Sequence, residues 1–185
     1  MRIAVYSGSF NPLHKGHEAI IRFLTREAGF DLVYLVVTPQ NPFKEAHSHP
    51  TGKERFDAAV AAIGRHPDLK VKAQDLELYM NPPQYTIRTL DTLRDREPEH
   101  EFTLVIGADN LANFMGWRFH ERILLEYGVV VFPRKGYHRG HDKARLLKEN
   151  PAYRITLLKA PLVNISSTQI REGMEKGLDM SKWLM

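Results

Sequence analysis

Residues 7–17 read Ser7-Gly8-Ser9-Phe10-Asn11-Pro12-Leu13-His14-Lys15-Gly16-His17. This stretch lies between a short apolar run, residues 3–6, and a helical pattern, so it predicts a strand, a tight turn and the start of a helix. The first N–H groups of a helix have no partner within the helix, and a turn of this kind therefore forms a phosphate site. His14 and His17 are three residues apart and would share one face of the helix. Two imidazoles beside free N–H groups suit an anion that gains charge during a reaction.

Small and rigid residues shape the predicted turn. Gly8 has no Cβ and would allow a ligand to approach the backbone. Pro12 and Gly16 are of residue types that are common where a turn leads into a helix. The alternative is an ordinary strand–turn–helix with two surface histidines, and the agreement of the glycine, proline and histidine positions disfavours it.

The composition limits the class of protein. The chain has 185 residues, 43% of them hydrophobic and 26% charged, which is typical of a soluble globular protein and predicts one domain over residues 1–185. The formal net charge of +4 favours anionic partners such as nucleotides, but no basic stripe interleaved with aromatic residues indicates nucleic acid. The absence of cysteine excludes disulfides, a Cys-bound metal and a thiol nucleophile. No signal peptide and no run of membrane-spanning length is found, so a cytoplasmic location without a membrane partner is expected.

Apolar runs alternate with segments of helical periodicity along the whole chain. The predicted strands are residues 3–7, 32–38, 69–73, 102–107, 129–133 and 154–159. The predicted helices are residues 17–28, 53–65, 85–96, 119–127, 142–150 and 167–176. This alternation predicts an α/β fold with a doubly wound parallel sheet. Ligands of such sheets bind beyond the carboxyl ends of the strands, where the strand order reverses, and the first strand ends in the turn at residues 7–17.

A second chemical signal lies near the end of the chain. Residues 164–172 read Asn164-Ile165-Ser166-Ser167-Thr168-Gln169-Ile170-Arg171-Glu172. Ser166 and Gln169 have the spacing of a capping box, so a helix is expected to begin there. Its first turn offers N–H groups and hydroxyls, and Arg171 follows with a planar fork that binds phosphate oxygens in pairs. A well-capped surface helix without a ligand is the alternative for this segment considered alone.

Together these motifs resemble a known family. The first is similar to the H-x-G-H signature of the nucleotidyltransferase superfamily, and its form resembles the nicotinate-nucleotide adenylyltransferases, with Ser9 and Asn11 where Thr and Asp are usual. The second resembles the I-S-[SA]-T-x-[IV]-R motif of the same family. Residues 106–111 with Trp117 resemble its G-x-D…W element, residues 39–44 its P-x-x-P-x-K loop, and residues 83–90 its S-Y-T-x-x-T-L segment. The resemblance extends from Met1 to about Lys176.

The resemblance implies a Rossmann-like nucleotidyltransferase fold and adenylyl transfer from ATP to nicotinate mononucleotide, with pyrophosphate as the second product. The implied catalytic residues are His14, His17 and Arg171. The implied ATP-binding residues are Gly8, Ser9, Phe10, His14, Gly16, His17, Gly107, Asp109, Ser167 and Arg171. The implied substrate-binding residues are Lys44, Tyr85, Thr86 and Trp117.

The resemblance also implies a role for each group. His17 would stabilise the α-phosphoryl group, and the other catalytic residues, Lys44 and Ser167 would hold pyrophosphate. Trp117 would stack on the pyridine ring, and Thr86 would cap a helix whose N–H groups receive the carboxylate. Mg²⁺ would be carried by the ATP phosphates, with no ligand from the protein. Two alternatives stay open: phosphopantetheine adenylyltransferase, against which the Gly107–Trp117 element argues, and a nucleotide-binding regulator without activity.

Overall fold

Six parallel strands form one sheet in the computed structural model, which describes residues 1–39, 50–162 and 164–185. The central strands are apolar runs that are buried on both faces, as expected for a parallel sheet covered on both sides. The strands are β1 (Arg2–Gly8), β2 (Leu32–Val37), β3 (Val71–Gln74), β4 (Glu101–Gly107), β5 (Val129–Phe132) and β6 (Ile155–Leu157).

Helices follow the strands along the chain. The α-helices are α1 (Lys15–Arg26), α2 (Gly52–Gly64), α3 (Thr86–Arg96), α4 (Ala108–Ala112), α5 (His120–Arg122), α6 (Arg139–Glu149) and α7 (Ser167–Glu175). Short 3₁₀ turns span Leu76–Tyr79, Phe114–Gly116 and Ser181–Trp183, and a π-helical turn spans Ile123–Tyr127. Across the described part of the chain, none of the helices has the length and apolar character needed to cross a membrane.

The strand order is β3-β2-β1-β4-β5-β6, which is the doubly wound arrangement that the sequence predicts. The chain runs outward from β1 to β3 and then returns to place β4 on the other side of β1. Strand order therefore reverses between β1 and β4, and a crevice opens beyond their carboxyl ends. Both Gly8 and Gly107 end their strands at this crevice.

The core has two layers, one on each face of the sheet. Side chains of a strand alternate between faces, and in β1 Ile3 and Val5 pack in the layer that contains α3. Ala4 and Tyr6 pack on the opposite face, in the layer that contains α1. This alternation determines on which face of the sheet each side chain of β1 lies.

The segment at residues 119–127 is helical as predicted, but the helix begins one residue later and ends in a π-type turn. Phe119 has a left-handed backbone with φ 58° and ψ 37° and occupies the N-cap position, so α5 begins at His120. The amide of Gly128 then donates to the carbonyl of Ile123 at 2.8 Å, which closes a π-type turn. The predicted helix and its end at Gly128 are therefore confirmed, and only the π-type turn was not predicted, because apolar spacing does not report local backbone hydrogen bonds.

Other boundaries shift by only a few residues. α1 begins at Lys15 rather than residue 17, because the preceding His14 caps the helix with its side chain. β3 begins at Val71 rather than residue 69, and α6 begins at Arg139 rather than residue 142. These shifts are the usual uncertainty of element ends and leave the predicted order of strands and helices unchanged.

Candidate active site

The two histidines of the first motif form a capping box at the start of α1. His14 occupies the N-cap position, and its Nδ1 accepts a hydrogen bond from the Gly16 amide at 3.0 Å. The His17 Nδ1 accepts from the His14 amide at 3.1 Å. A neutral imidazole whose Nδ1 accepts carries its hydrogen on Nε2, so both rings present an Nε2–H donor. The two rings stack with their centroids 3.7 Å apart.

Both imidazoles are held in the neutral form. Burial and, to a smaller extent, the nearby Arg134 charge together lower the pKa of His14 to about 4. Burial also lowers the pKa of His17 well below its ordinary value, with smaller contributions from His14 and Arg134. At neutral pH the pair therefore donates hydrogen bonds without carrying charge.

The second motif begins α7 with the capping box that the sequence predicts. The Ser166 hydroxyl accepts from the Gln169 amide at 3.1 Å, and the Gln169 side chain accepts from the Ser166 amide at 2.9 Å. The free N–H groups of the first turn of α7 add to the partial positive charge of the helix N-terminus.

Direct hydrogen bonds join α7 to the first motif. The Ser167 hydroxyl donates to the Pro12 carbonyl at 3.0 Å, and Arg171 donates to the Asn11 carbonyl at 2.6 Å. The partners are 155 and 160 residues apart in the sequence, respectively. The fold thus brings the N-termini of α1 and α7 to the same place, as the two motifs predict.

Two adjoining cavities lie at this place. One has a volume of about 290 Å³, and the other has a volume of about 200 Å³. The first is lined, among others, by Ser9, His14, Gly16, His17, Ser167 and Arg171. The second is lined, among others, by Gly8, Ser9, Phe10, His17, Gly107 and Ser167. With the exception of Asp109, the cavities bring together all the residues for which the sequence predicts ATP binding.

Close packing by neighbouring side chains explains why glycine stands at positions 8 and 107, and the sequence alone does not reveal this packing. A Cβ on Gly8 would lie 3.1 Å from the ring of Phe10, and a Cβ on Gly107 would lie 2.6 Å from Asp109 Oδ1. Phe10, which has a positive φ of 49°, also packs against the His17 ring at 5.0 Å. Side chains of the protein therefore use the space that the glycines leave, and close approach of a ligand there stays a prediction.

Arg134 is a site residue that the sequence reasoning missed. It follows β5 at the carboxyl edge of the sheet and lines both cavities. Its Nε lies 3.2 Å from Asp109 Oδ1, an ion-pair distance, although the geometry does not meet that of a hydrogen bond. The available signal was its position directly after a buried strand, on the edge where ligands bind.

Two further contacts support the loop between β1 and α1. Arg55, which is buried, donates to the carbonyls of Ser9 and Thr38 at 2.8 Å each. At the other end of the chain, Leu184 forms an antiparallel bridge with His14, next to the 3₁₀ turn at Ser181–Trp183. The backbone of the first motif is thus held by distant parts of the chain.

The residues predicted to bind the acceptor lie apart from the two cavities. Trp117 is half-buried, and its ring packs on Phe114 at 4.7 Å between centroids, on the face of the sheet that α3 covers.

Tyr85 is exposed and occupies the N-cap position of α3, so Thr86 is the first helical residue. The prediction that Thr86 caps the helix is wrong, since the N-cap position belongs to Tyr85, which has the extended backbone of a cap. Lys44 lies outside the described residues.

The donors around the cavities suit phosphate more than a bare metal ion. Neither cavity is lined by Asp or Glu within the described ranges, whereas hydroxyls, neutral imidazoles and two arginines are present. Such a set fits Mg²⁺ only as an ion held by the phosphates of a nucleotide and by water.

A doubly wound sheet with two helix N-termini, neutral imidazoles and an arginine fork around one cavity is the arrangement of a nucleotide-binding protein that holds phosphate groups. The cytidylyltransferase-like family model matches residues 5–173. A probable nicotinate-nucleotide adenylyltransferase from Cytophaga hutchinsonii is 41% identical over 175 residues, which cover 92% of this chain and 84% of the relative. Another from Bacteroides fragilis is 37% identical, with 99% and 87% of the two chains covered. The chain belongs to the nicotinate-nucleotide adenylyltransferase family.

A solved structure supports the fold. Plasmodium falciparum nicotinic acid mononucleotide adenylyltransferase complexed with NaAD matches with a TM-score of 0.76 at 20% identity. The match covers 99% of this chain and 90% of that chain. The Rossmann-like fold implied by the sequence motifs is therefore confirmed.

Proposed function

We propose that this enzyme transfers the adenylyl group of ATP to nicotinate mononucleotide, forming nicotinate adenine dinucleotide and pyrophosphate. The observation that carries this proposal is the joining of α1 and α7 at one cavity, through the hydrogen bonds of Ser167 and Arg171 to the first motif. Two helix N-termini and an arginine fork provide the donors that a triphosphate requires.

The reaction needs no nucleophile from the protein. A phosphate oxygen of the mononucleotide attacks the α-phosphorus of ATP, a new O–P bond forms, and the bond to the β-phosphate oxygen breaks in line. Pyrophosphate leaves with the electron pair of that bond. The enzyme therefore works by positioning its substrates and by stabilising charge.

The phosphate-binding residues divide this work. The His17 Nε2–H donates to the α-phosphoryl group as its charge develops. His14, Ser167 and Arg171 hold the leaving pyrophosphate, and Lys44 is proposed to contribute. Arg134, which reaches both cavities, adds positive charge between them. Mg²⁺ bound to the ATP phosphates supplies further charge neutralisation.

The acceptor is proposed to bind on the α3 side of the crevice. Trp117 stacks on the pyridine ring, and the first N–H groups of α3, beside Tyr85 and Thr86, receive its carboxylate. The half-buried position of Trp117 supports this role, because part of its surface stays available to a ligand.

Residues 1–185 act as one domain in this proposal, since motifs from both ends of the chain meet on one sheet. The cytoplasmic location and the absence of nucleic-acid and membrane partners stay predictions.

Release of pyrophosphate tests the proposed function directly. We expect turnover with ATP, Mg²⁺ and nicotinate mononucleotide, and no turnover when phosphopantetheine replaces the mononucleotide. Nicotinamide mononucleotide in a third reaction measures the preference for the carboxylate. Comparable rates with phosphopantetheine would overturn the assignment of the acceptor, and ATP binding without any turnover would favour a regulator.

Replacement of Trp117 tests the acceptor side. Trp117→Ala should raise the KM for nicotinate mononucleotide much more than the KM for ATP. Loss of one stacked ring should weaken binding by about 1–3 kcal/mol, by analogy with stacking of bases on aromatic side chains. Steady-state kinetics with each substrate varied in turn gives both constants.

The contact of Trp117 with Phe114 makes a stability control necessary. The midpoint of thermal unfolding should be measured for the same variant. An unchanged KM with a large loss of thermal stability would mean that Trp117 is only a packing residue.

A further inference from the structure

Ser7 carries a buried hydroxyl that the fold does not use. The residue lies near the end of β1, and its Oγ is inaccessible to solvent and has no hydrogen-bond partner in the part of the chain that the structure describes. Buried polar groups in folded proteins are almost always paired, because an unpaired one loses its bonds to water without replacement. An unpaired serine hydroxyl in such a place indicates a partner from outside the chain.

The position of Ser7 in β1 shows on which face of the sheet its side chain lies. Side chains alternate along a strand, so Ser7 lies on the same face as Ile3 and Val5. It is paired in register with Val36 of β2, which packs in the same layer as Ile3 and Val5. This is the face that α3 covers and on which Trp117 packs, whereas α1 with its two histidines lies on the other face.

The smaller cavity connects Ser7 to the reaction centre. Ser7 lines it together with Gly107 and Asn110 at the carboxyl ends of β1 and β4. The same cavity is lined by His17 and Ser167 from the phosphate side. A group bound there therefore lies between the transferred phosphoryl group and the side of the sheet that carries Trp117.

We propose that the Ser7 side chain turns into the smaller cavity when the acceptor mononucleotide binds, and that its hydroxyl then hydrogen-bonds a ribose or phosphate oxygen of that acceptor. This inference rests on the proposed function, from which it takes the identity of the acceptor. The family motif does not assign any role to this residue, which precedes the Gly8-Ser9-Phe10 turn. Ser7 is thus a substrate-binding residue whose hydroxyl gains its partner when the acceptor binds.

Ser7→Ala separates this role from a structural one. The substitution should raise the KM for nicotinate mononucleotide about three- to tenfold, the range expected for one neutral hydrogen bond. The KM for ATP and kcat should stay unchanged, because the contact is equally strong in the ground state and the transition state. The midpoint of thermal unfolding without ligand should stay the same or rise, because an unpaired buried polar atom is removed.

Thr89→Val provides the matched control for stability. Thr89 is fully buried like the Ser7 hydroxyl, but its Oγ1 donates to the Glu77 carboxylate at 2.8 Å. Removal of a paired hydroxyl should lower the midpoint of unfolding, because the carboxylate then loses its buried partner. The two variants should therefore change stability in different directions.

Several results would overturn the inference. They are an unchanged KM for nicotinate mononucleotide in Ser7→Ala, a rise confined to the KM for ATP, and a loss of stability equal to that of Thr89→Val.

The turnover rate of the wild-type enzyme distinguishes failure of this inference from failure of the proposed function. If wild-type enzyme does not turn over nicotinate mononucleotide, the proposed function fails, and titration calorimetry with that mononucleotide still decides the role of Ser7. Equal Kd values for wild type and Ser7→Ala, or binding to neither, would then overturn it.

Discussion

His17→Ala should lower kcat by about 10²–10³ while the KM for ATP changes little. The physical reason is that the Nε2–H of a neutral imidazole donates most strongly when negative charge develops at the α-phosphoryl group, so the bond strengthens in the transition state. The low pKa of His17 keeps this donor uncharged in the free enzyme. Steady-state measurement of pyrophosphate release, with ATP and the mononucleotide varied in turn, separates kcat from the two KM values.

Two further variants make the result specific. His17→Gln keeps a residue type that can complete the capping box at this position, so α1 should stay intact while kcat remains low. His141→Ala removes an exposed histidine of α6 and should leave kcat unchanged. Wild-type kcat should also stay level from pH 8 to pH 7, where the phosphate of the mononucleotide is fully ionised, because His14, with a pKa of about 4, and His17 are both neutral there. Near-wild-type kcat in folded His17→Ala would contradict a catalytic phosphate site at residues 7–17.

Arg171→Ala should raise the KM for ATP and lower kcat/KM for ATP roughly ten- to hundredfold, as expected for loss of a charged hydrogen bond of about 1.5–3 kcal/mol. Unlike His17, Arg171 meets a phosphate charge that is already present in ground-state ATP. Arg171→Lys should restore only part of the loss, because an ammonium cannot replace the two parallel bonds of a guanidinium fork. Kinetics with ATP varied at saturating mononucleotide measures these effects.

The hydrogen bond of Arg171 to the Asn11 carbonyl requires a control for structure. Circular dichroism and thermal unfolding of both variants should resemble those of wild type, because the side chain is not part of the core. Arg26→Ala, at an exposed arginine in the last turn of α1, should leave the kinetics for ATP unchanged. If Arg171→Ala binds ATP as tightly as wild type does, the proposal that Arg171 of α7 binds the triphosphate is wrong.

The sequence predicts most of the phosphate site because its signals are local. The capping box of Ser166 and Gln169 uses residues three apart, and His14 and His17 have the same spacing at the start of α1. Such bonds form between near neighbours in the chain and depend little on the rest of the fold. The role of His14 as the N-cap itself was not predicted, since histidine is not among the preferred capping residues.

Residues whose roles depend on distant contacts were missed. Arg134 becomes part of the site only because β5 ends beside the cavities, where it meets Asp109. Arg55 supports the first motif through the carbonyls of Ser9 and Thr38, which its sequence neighbours do not indicate. A solvated surface arginine and a buried one have the same appearance in a sequence.

The sequence by itself determined the alternation of strands and helices, the parallel sheet and the two helix N-termini that carry the phosphate motifs. These follow from periodicity and capping, which are properties of a few consecutive residues. Only the tertiary structure decided that α7 bonds to the loop before α1, that the helix after Phe119 ends in a π-type turn and that the Ser7 hydroxyl is buried without a partner among the described residues. The reason is that pairing and burial of a polar group depend on which segments the folded chain brings together, and short-range sequence patterns do not contain that information.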